Sequence, residues 1–155
     1  MRRWLGLLLC WGLALPAGAA PPPAETPEGL VRAFMADYRD WNDRAYRSTG
    51  AQGTTERSMA AVQADYDRLL SRYCRPDFKG EPIAFGSEAD HDPAVETVLS
   101  VHTDGERSVV KTRHRRRVAG LLMEDDYEYR LSRERGRWYL DQVYYVDSEG
   151  KYPGL

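Results

Sequence analysis

Apolar residues in the first half of the chain recur at helical spacing. Leu30, Phe34, Tyr38, Trp41 and Ala45 follow one another at intervals of four, four, three and four, which lays one stripe along a helix from Pro27 to about Tyr46. Thr26 can cap that helix, and Pro27 suits its first position because an N–H there would lack an intrahelical partner anyway. A glycine-rich break, Gly50–Gly53, leads to Thr54 or Thr55 as the next cap. Met59, Val62, Tyr66, Leu69 and Tyr73 then form a second stripe, which Pro76 stops.

From Ala94 onward the period changes from helical to alternating. Four segments, Ala94–Val101, Arg107–Arg117, Leu121–Leu131 and Arg137–Val146, are separated by Asp104-Gly105, Ala119-Gly120 and Arg133-Glu134-Arg135-Gly136, each able to turn one strand into the next. The implied registers place Leu99, Val110, Tyr129 and Leu140 in one cross-strand row, with Val101, Ser108, Leu131 and Trp138 beside it. The opposite face reads Glu96, Arg113, Asp126 and Val143, then Val98, Lys111, Glu128 and Asp141. One face is therefore mostly apolar while the other alternates acid and base between neighbours. The expected fold is α+β: two N-terminal helices packed on a curved four-stranded antiparallel meander.

Between helices and meander lies Pro76–Pro93, in which only Ile83-Ala84-Phe85 has the character of a short strand. Its acidic turn, Glu88, Asp90, His91 and Asp92, is a candidate cation or partner site. A solvated loop is the plainer reading, because the carboxylates lack the Asp-x-Asp-x-Asp-Gly spacing of a calcium loop.

The N-terminus changes the setting. Met1-Arg2-Arg3 is a basic start, Trp4–Leu15 is an apolar run too short to span a bilayer, and Ala17-Gly18-Ala19 is a small-x-small cleavage site. The expected organisation is a signal peptide over 1–19, a proline-rich spacer over 20–26 and one domain over 27–151, exported to the periplasm without a stable membrane anchor. Cleavage removes Arg2 and Arg3 and no acid, taking the formal charge from −2 to −4. An acidic domain makes nucleic acid a poor partner. Cleavage also removes Cys10, so Cys74 stands alone, no internal disulfide is expected, and Cys74 reads as a buried apolar residue closing the second helix.

No phosphate loop, nucleophile elbow, His-Glu-x-x-His or metal-binding cysteine pair is present, and His91, His102 and His114 fall on different elements, so neither a metal nor a cofactor is expected. One constellation could carry chemistry. The registers bring Thr97, Thr112, Tyr127 and Gln142, then Val95, His114, Asp125 and Tyr144, to one end of the apolar face. There a His114–Asp125 pair flanked by Tyr127, Gln142 and Tyr144 would be a pocket for proton transfer, or simply a hydrated rim. The basic run Lys111, Arg113 and Arg115 faces Glu128, Asp126 and Glu124 across the ladder, which leaves Arg116 and Arg117 as candidate partner contacts.

Trp41 late in the first helix, Tyr73-Cys74 closing the second, Ile83–Ser87, the His91-Asp92-Pro93 turn and Gly136-Arg137-Trp138-Tyr139-Leu140-Asp141 together resemble the bacterial immunity proteins of the nuclear transport factor 2 fold, over Pro27 to Lys151. The resemblance implies a cone-shaped fold and a non-enzymatic binding protein that occludes a cognate toxin encoded by a neighbouring gene. Partner contacts are then expected at Glu88, Asp90, Asp92, Arg116 and Arg117. Much of that family is predicted cytoplasmic and faces nucleases, so an export signal is a departure that leaves the toxin class open. The alternative is a small-ligand or isomerase/dehydratase-like pocket protein of the same fold.

Overall fold

The computed structural model describes residues 26–155; the predicted signal peptide and most of the proline-rich spacer lie outside the described residues. Two helices, α1 (Pro27–Gln52) and α2 (Glu56–Tyr73), precede five strands: β1 (Glu96–Asp104), β2 (Arg107–Val118), β3 (Leu121–Glu134), β4 (Arg137–Val146) and β5 (Lys151–Pro153). The strands form one antiparallel sheet in sequence order. The class is therefore α+β.

Both caps form as the sequence suggests. Thr26 Oγ1 accepts the Gly29 N–H, and Thr55 and Ser58 make a reciprocal capping box at the start of α2. Helix α1 continues past the expected end near Tyr46 to Gln52. Ala45 and Thr49 remain buried there, and one glycine inside a helix costs only about 1 kcal/mol. It stops at Gly53, whose φ of +75° suits a residue without a Cβ.

Aromatic rings fill the layer between helices and sheet. Phe34, Tyr38, Trp41, Tyr66, Tyr73, His91 and Tyr129 are all buried, and neighbouring rings lie 4.7 to 6.4 Å apart between centroids. Such tilted and edge-on pairs add to plain area burial. Val31, Met35, Val110, Leu131, Leu140 and Val143 close the gaps. Cys74 is buried, as expected, and burial pushes its thiol pKa up to about 12.

The β2–β3 register matches the sequence reading in full, from Val110 opposite Tyr129 to Val118 opposite Leu121 around Ala119-Gly120. The other two pairings differ from it through shifted turns and then bulges. Strand β1 turns at Gly105-Glu106, so Val101 rather than Leu99 faces Val110, and an irregularity at Leu99 then shifts the ladder until Glu96 faces His114. Strand β3 turns at Arg135-Gly136, with φ +50° and +82°, and a second irregularity at Arg130/Leu131 brings Val143 opposite Tyr129. A one-residue bulge exchanges the two faces of everything beyond it. Glu96 and Val143, expected outside, are buried, whereas Leu99 is half exposed.

Ile83–Phe85 is not a strand. The Asn42 side chain instead clamps the Gly86 backbone at both its N–H and its C=O, each 3.0 Å away, and Phe85 packs edge-on against Trp41. The short strand β5 was not anticipated; it pairs with Tyr144–Val146.

Candidate functional site

The acidic turn is anchored from below. His91 drives its imidazole into the core between Tyr38 and Tyr127, with ring centroids at 4.9 and 4.8 Å. Its Nδ1 lies 2.8 Å from Tyr129 Oη and 3.3 Å from Glu96 Oε2. Tyr129 and Thr112 both donate to Glu96 Oε1. With the Tyr129 proton directed at Glu96, His91 is left to donate from Nδ1, shared between the phenol oxygen and the carboxylate.

All four side chains of this network are buried. Burial raises the cost of ionising Glu96, but the hydrogen bond and charge of His91, with the Thr112 and Tyr129 hydroxyls, outweigh it and hold the carboxyl below its ordinary pKa. The same carboxylate, together with burial, pushes the Tyr129 phenol well above its usual range. These groups fix the turn rather than meet solvent. The sequence pattern hides Glu96, because only the Leu99 bulge turns it inward.

Above the network, β2 and β3 outrun the sheet. Strand β1 pairs with β2 only as far as His114, and β4 pairs with β3 only from Asp126. Arg115–Val118 and Leu121–Asp125 therefore form a projecting two-stranded ribbon, about 13–17 Å long at ~3.3 Å per residue. Its tip is apolar and open to solvent: Leu121 is 69% and Leu122 55% exposed, with Val118 and Met123 beside them. The outer face of β2 and β3, at the ribbon and just below it, is neutralised as the sequence suggests. Arg113 makes a forked pair with Asp126 at 2.7 and 2.9 Å, and Arg115 Nε donates to Glu124 at 2.7 Å. Glu128 departs from that pattern, since its carboxylate takes Arg130 and Lys151 in place of the facing Lys111.

A groove of about 480 Å³ lies at the ribbon's base. Ser87, Glu88, Ala89 and Asp92 of the acidic turn form one wall, and Val95, His114, Arg115, Arg116, Arg117 and Leu122 form the other. Four of the five expected partner contacts, Glu88, Asp92, Arg116 and Arg117, thus converge, and Asp90 is exposed on the same turn. Asp92 Oδ1 accepts the Ala94 N–H and lies 3.7 Å from Arg39, which fixes that wall.

The expected pocket is brought together only in part. His114 is in the groove, 2% exposed, but Asp125 opposite it turns its carboxylate to Arg116 at 3.3 Å. His114 Nδ1 and Arg116 Nε are buried without a hydrogen-bond partner. Tyr127 packs against His91 and Tyr145. The bulge at Arg130/Leu131 moves Gln142 and Tyr144 to the other face: Gln142 Oε1 accepts the Val143 and Leu155 N–H groups, and Tyr144 lies under the Arg130 guanidinium at 4.6 Å. The predicted His114–Asp125 dyad is therefore not assembled.

Among the described residues, no group of His, Cys, Asp or Glu is arranged to hold a metal, and no helix is long and apolar enough to cross a membrane. Val95 lines the groove beside His114, as the registers suggested, whereas Ser87, Ala89 and Leu122 line it without a signal in the sequence, since small and apolar residues acquire meaning there only from position.

No protein-family model matches the chain, and a comparison with curated proteins yields no match. Among solved structures the chain is similar to a SEC-C motif containing protein from Rhodopseudomonas palustris, with 22% identity over 81% of this chain and 83% of that one. The TM-score is 0.39, too low for the likeness to bear on fold or function.

Proposed function

We propose that this chain is a binding protein: an exported immunity protein of the nuclear transport factor 2 fold that neutralises a cognate bacterial toxin by occlusion. The observation that carries this reading is the projecting ribbon, which exposes Leu121 and Leu122 beside a groove lined by charges of both signs. Apolar anchors ringed by polar groups are the usual make-up of a protein-binding patch. The filled interior supports the same reading. A small-ligand or isomerase/dehydratase-like protein would need a chamber between helices and sheet, where Phe34, Tyr38, Trp41 and Tyr129 instead interlock.

In this account the ribbon tip supplies contact area, while Glu88, Asp90, Asp92, Arg116 and Arg117 steer and orient the partner. Export, if the N-terminal segment directs it, places the target toxin in the periplasm. The test is co-expression in bacteria of this chain with the periplasm-directed product of the adjacent gene. Growth should stop with that product alone and resume with both; growth in both cases overturns the reading.

A further inference from the structure

We infer that the open edge of β2 at Arg115–Val118 receives an extended, acid-bearing segment of the partner protein, which adds there as a strand and sets a carboxylate against His114 and Arg116. The inference rests on the binding-protein reading above and names the chemistry of the partner at that same groove.

The edge itself is unfinished. The Arg115 N–H donates to Val95 O at 2.9 Å, so odd-numbered residues of β2 turn their backbone groups toward β1 and even-numbered ones toward β3. Beyond Arg115, β1 has ended, which leaves the Arg117 N–H and C=O facing the groove with no strand to meet them. Exposed edges of this kind are templates for pairing with another chain.

Two orphaned side-chain atoms give the occupant its charge. His114 Nδ1 and Arg116 Nε are both buried, both unpartnered, and both belong to residues lining the groove. A buried polar atom left without a partner costs about 1–3 kcal/mol, and a carboxylate oxygen would satisfy Arg116 Nε, and His114 Nδ1 in the tautomer or cation that carries its proton there. Arg117 adds a guanidinium with no ion pair among the described residues. Glu88 and Asp92 on the far wall, and Asp125 already 3.3 Å from Arg116, limit the segment to an isolated acid rather than an acidic run. A second copy of this chain is the poorer occupant, because antiparallel pairing of two Arg115–Val118 edges would set arginine against arginine.

The probe is a blocked peptide, Thr-Val-Glu-Val-Thr-Val, with its Gln counterpart and a form N-methylated at alternate residues, each titrated into the 15N-labelled protein. The Glu peptide should move the Arg115–Val118 amides and the His114 ring signals and should bind at least tenfold tighter than the Gln peptide. The methylated form should not bind. Arg117→Pro should also abolish binding while the thermal midpoint holds, because that N–H points away from β3 and proline is tolerated on such an edge. Arg117→Ala, which keeps the N–H, should lose less than Arg117→Pro.

Equal affinity for the Glu and Gln peptides, shifts elsewhere on the sheet, or no shifts at millimolar peptide would overturn the inference. Toxin protection separates the two ideas. Full protection by folded Arg117→Pro would contradict docking at this edge and leave the immunity reading standing. Peptide binding as expected, in a protein that protects against nothing, would uphold the edge site and remove the immunity reading.

Discussion

Replacing Glu96 with Gln should destabilise the protein by about 2–3 kcal/mol, although the two side chains are nearly the same size. The carboxylate accepts from Thr112, Tyr129 and His91 in a fully buried setting. Hydrogen bonds to a charged acceptor contribute about 1.5–3 kcal/mol each, against about 0.5–1.5 for neutral ones, so the two bonds that Gln retains lose about 1 kcal/mol apiece. The third meets an amide NH₂ where His91 offers its own donor, which leaves one polar hydrogen unsatisfied at about 1–3 kcal/mol. Relief from burying a charge offsets part of this total.

Urea unfolding at pH 7 measures the difference, and the thermal midpoint should fall by about 8–12 °C for a domain of this size. The gap should narrow in acid. Because Glu96 is held below its unfolded pKa of about 4.3, its contribution is complete above that pH and is lost as the pH falls through the folded value. A variant within about 0.5 kcal/mol of the parent, or a gap that widens in acid, would refute the network's role.

Other expectations are simpler. Leu121→Ser with Leu122→Ser should leave stability within about 0.5 kcal/mol by urea unfolding, since both residues are more than half exposed and neither belongs to the core. Gly136→Ala should cost about 1–2 kcal/mol, because the Arg135-Gly136 turn holds φ at +82° there. Cys74 should resist alkylation at pH 8 in the folded protein and react at once in urea, given a buried thiol whose pKa is pushed up to about 12.

The sequence carried the helices and the central hairpin because each was specified twice, by apolar spacing and by a cap or turn. Ala119-Gly120 and the Arg113–Asp126 alternation agree on one register, and the structure has it. The bulges were illegible for a physical reason. Val98 and Leu99 are both apolar, as are Val143 and the rings that follow it, so period-two patterning reads equally well on either side of a one-residue slip. What the slips decide is the fate of isolated residues. Glu96 enters the core, while Gln142 and Tyr144 leave the expected pocket. The groove shows the same division. Arg116, Arg117 and the acidic turn stand out as unpaired charge in the sequence, but that loop and strand meet through tethers the pattern does not show: Asn42 and His91 from beneath, and Arg39 on Asp92.

If the ribbon and its groove are a protein-binding surface, protection against the neighbouring gene's product depends on the two exposed leucines at the tip. Cells making that product in the periplasm should survive with the parent chain and die with the folded Leu121→Ser, Leu122→Ser variant. Undiminished protection by that variant, or a product that harms no cell, would contradict the claim.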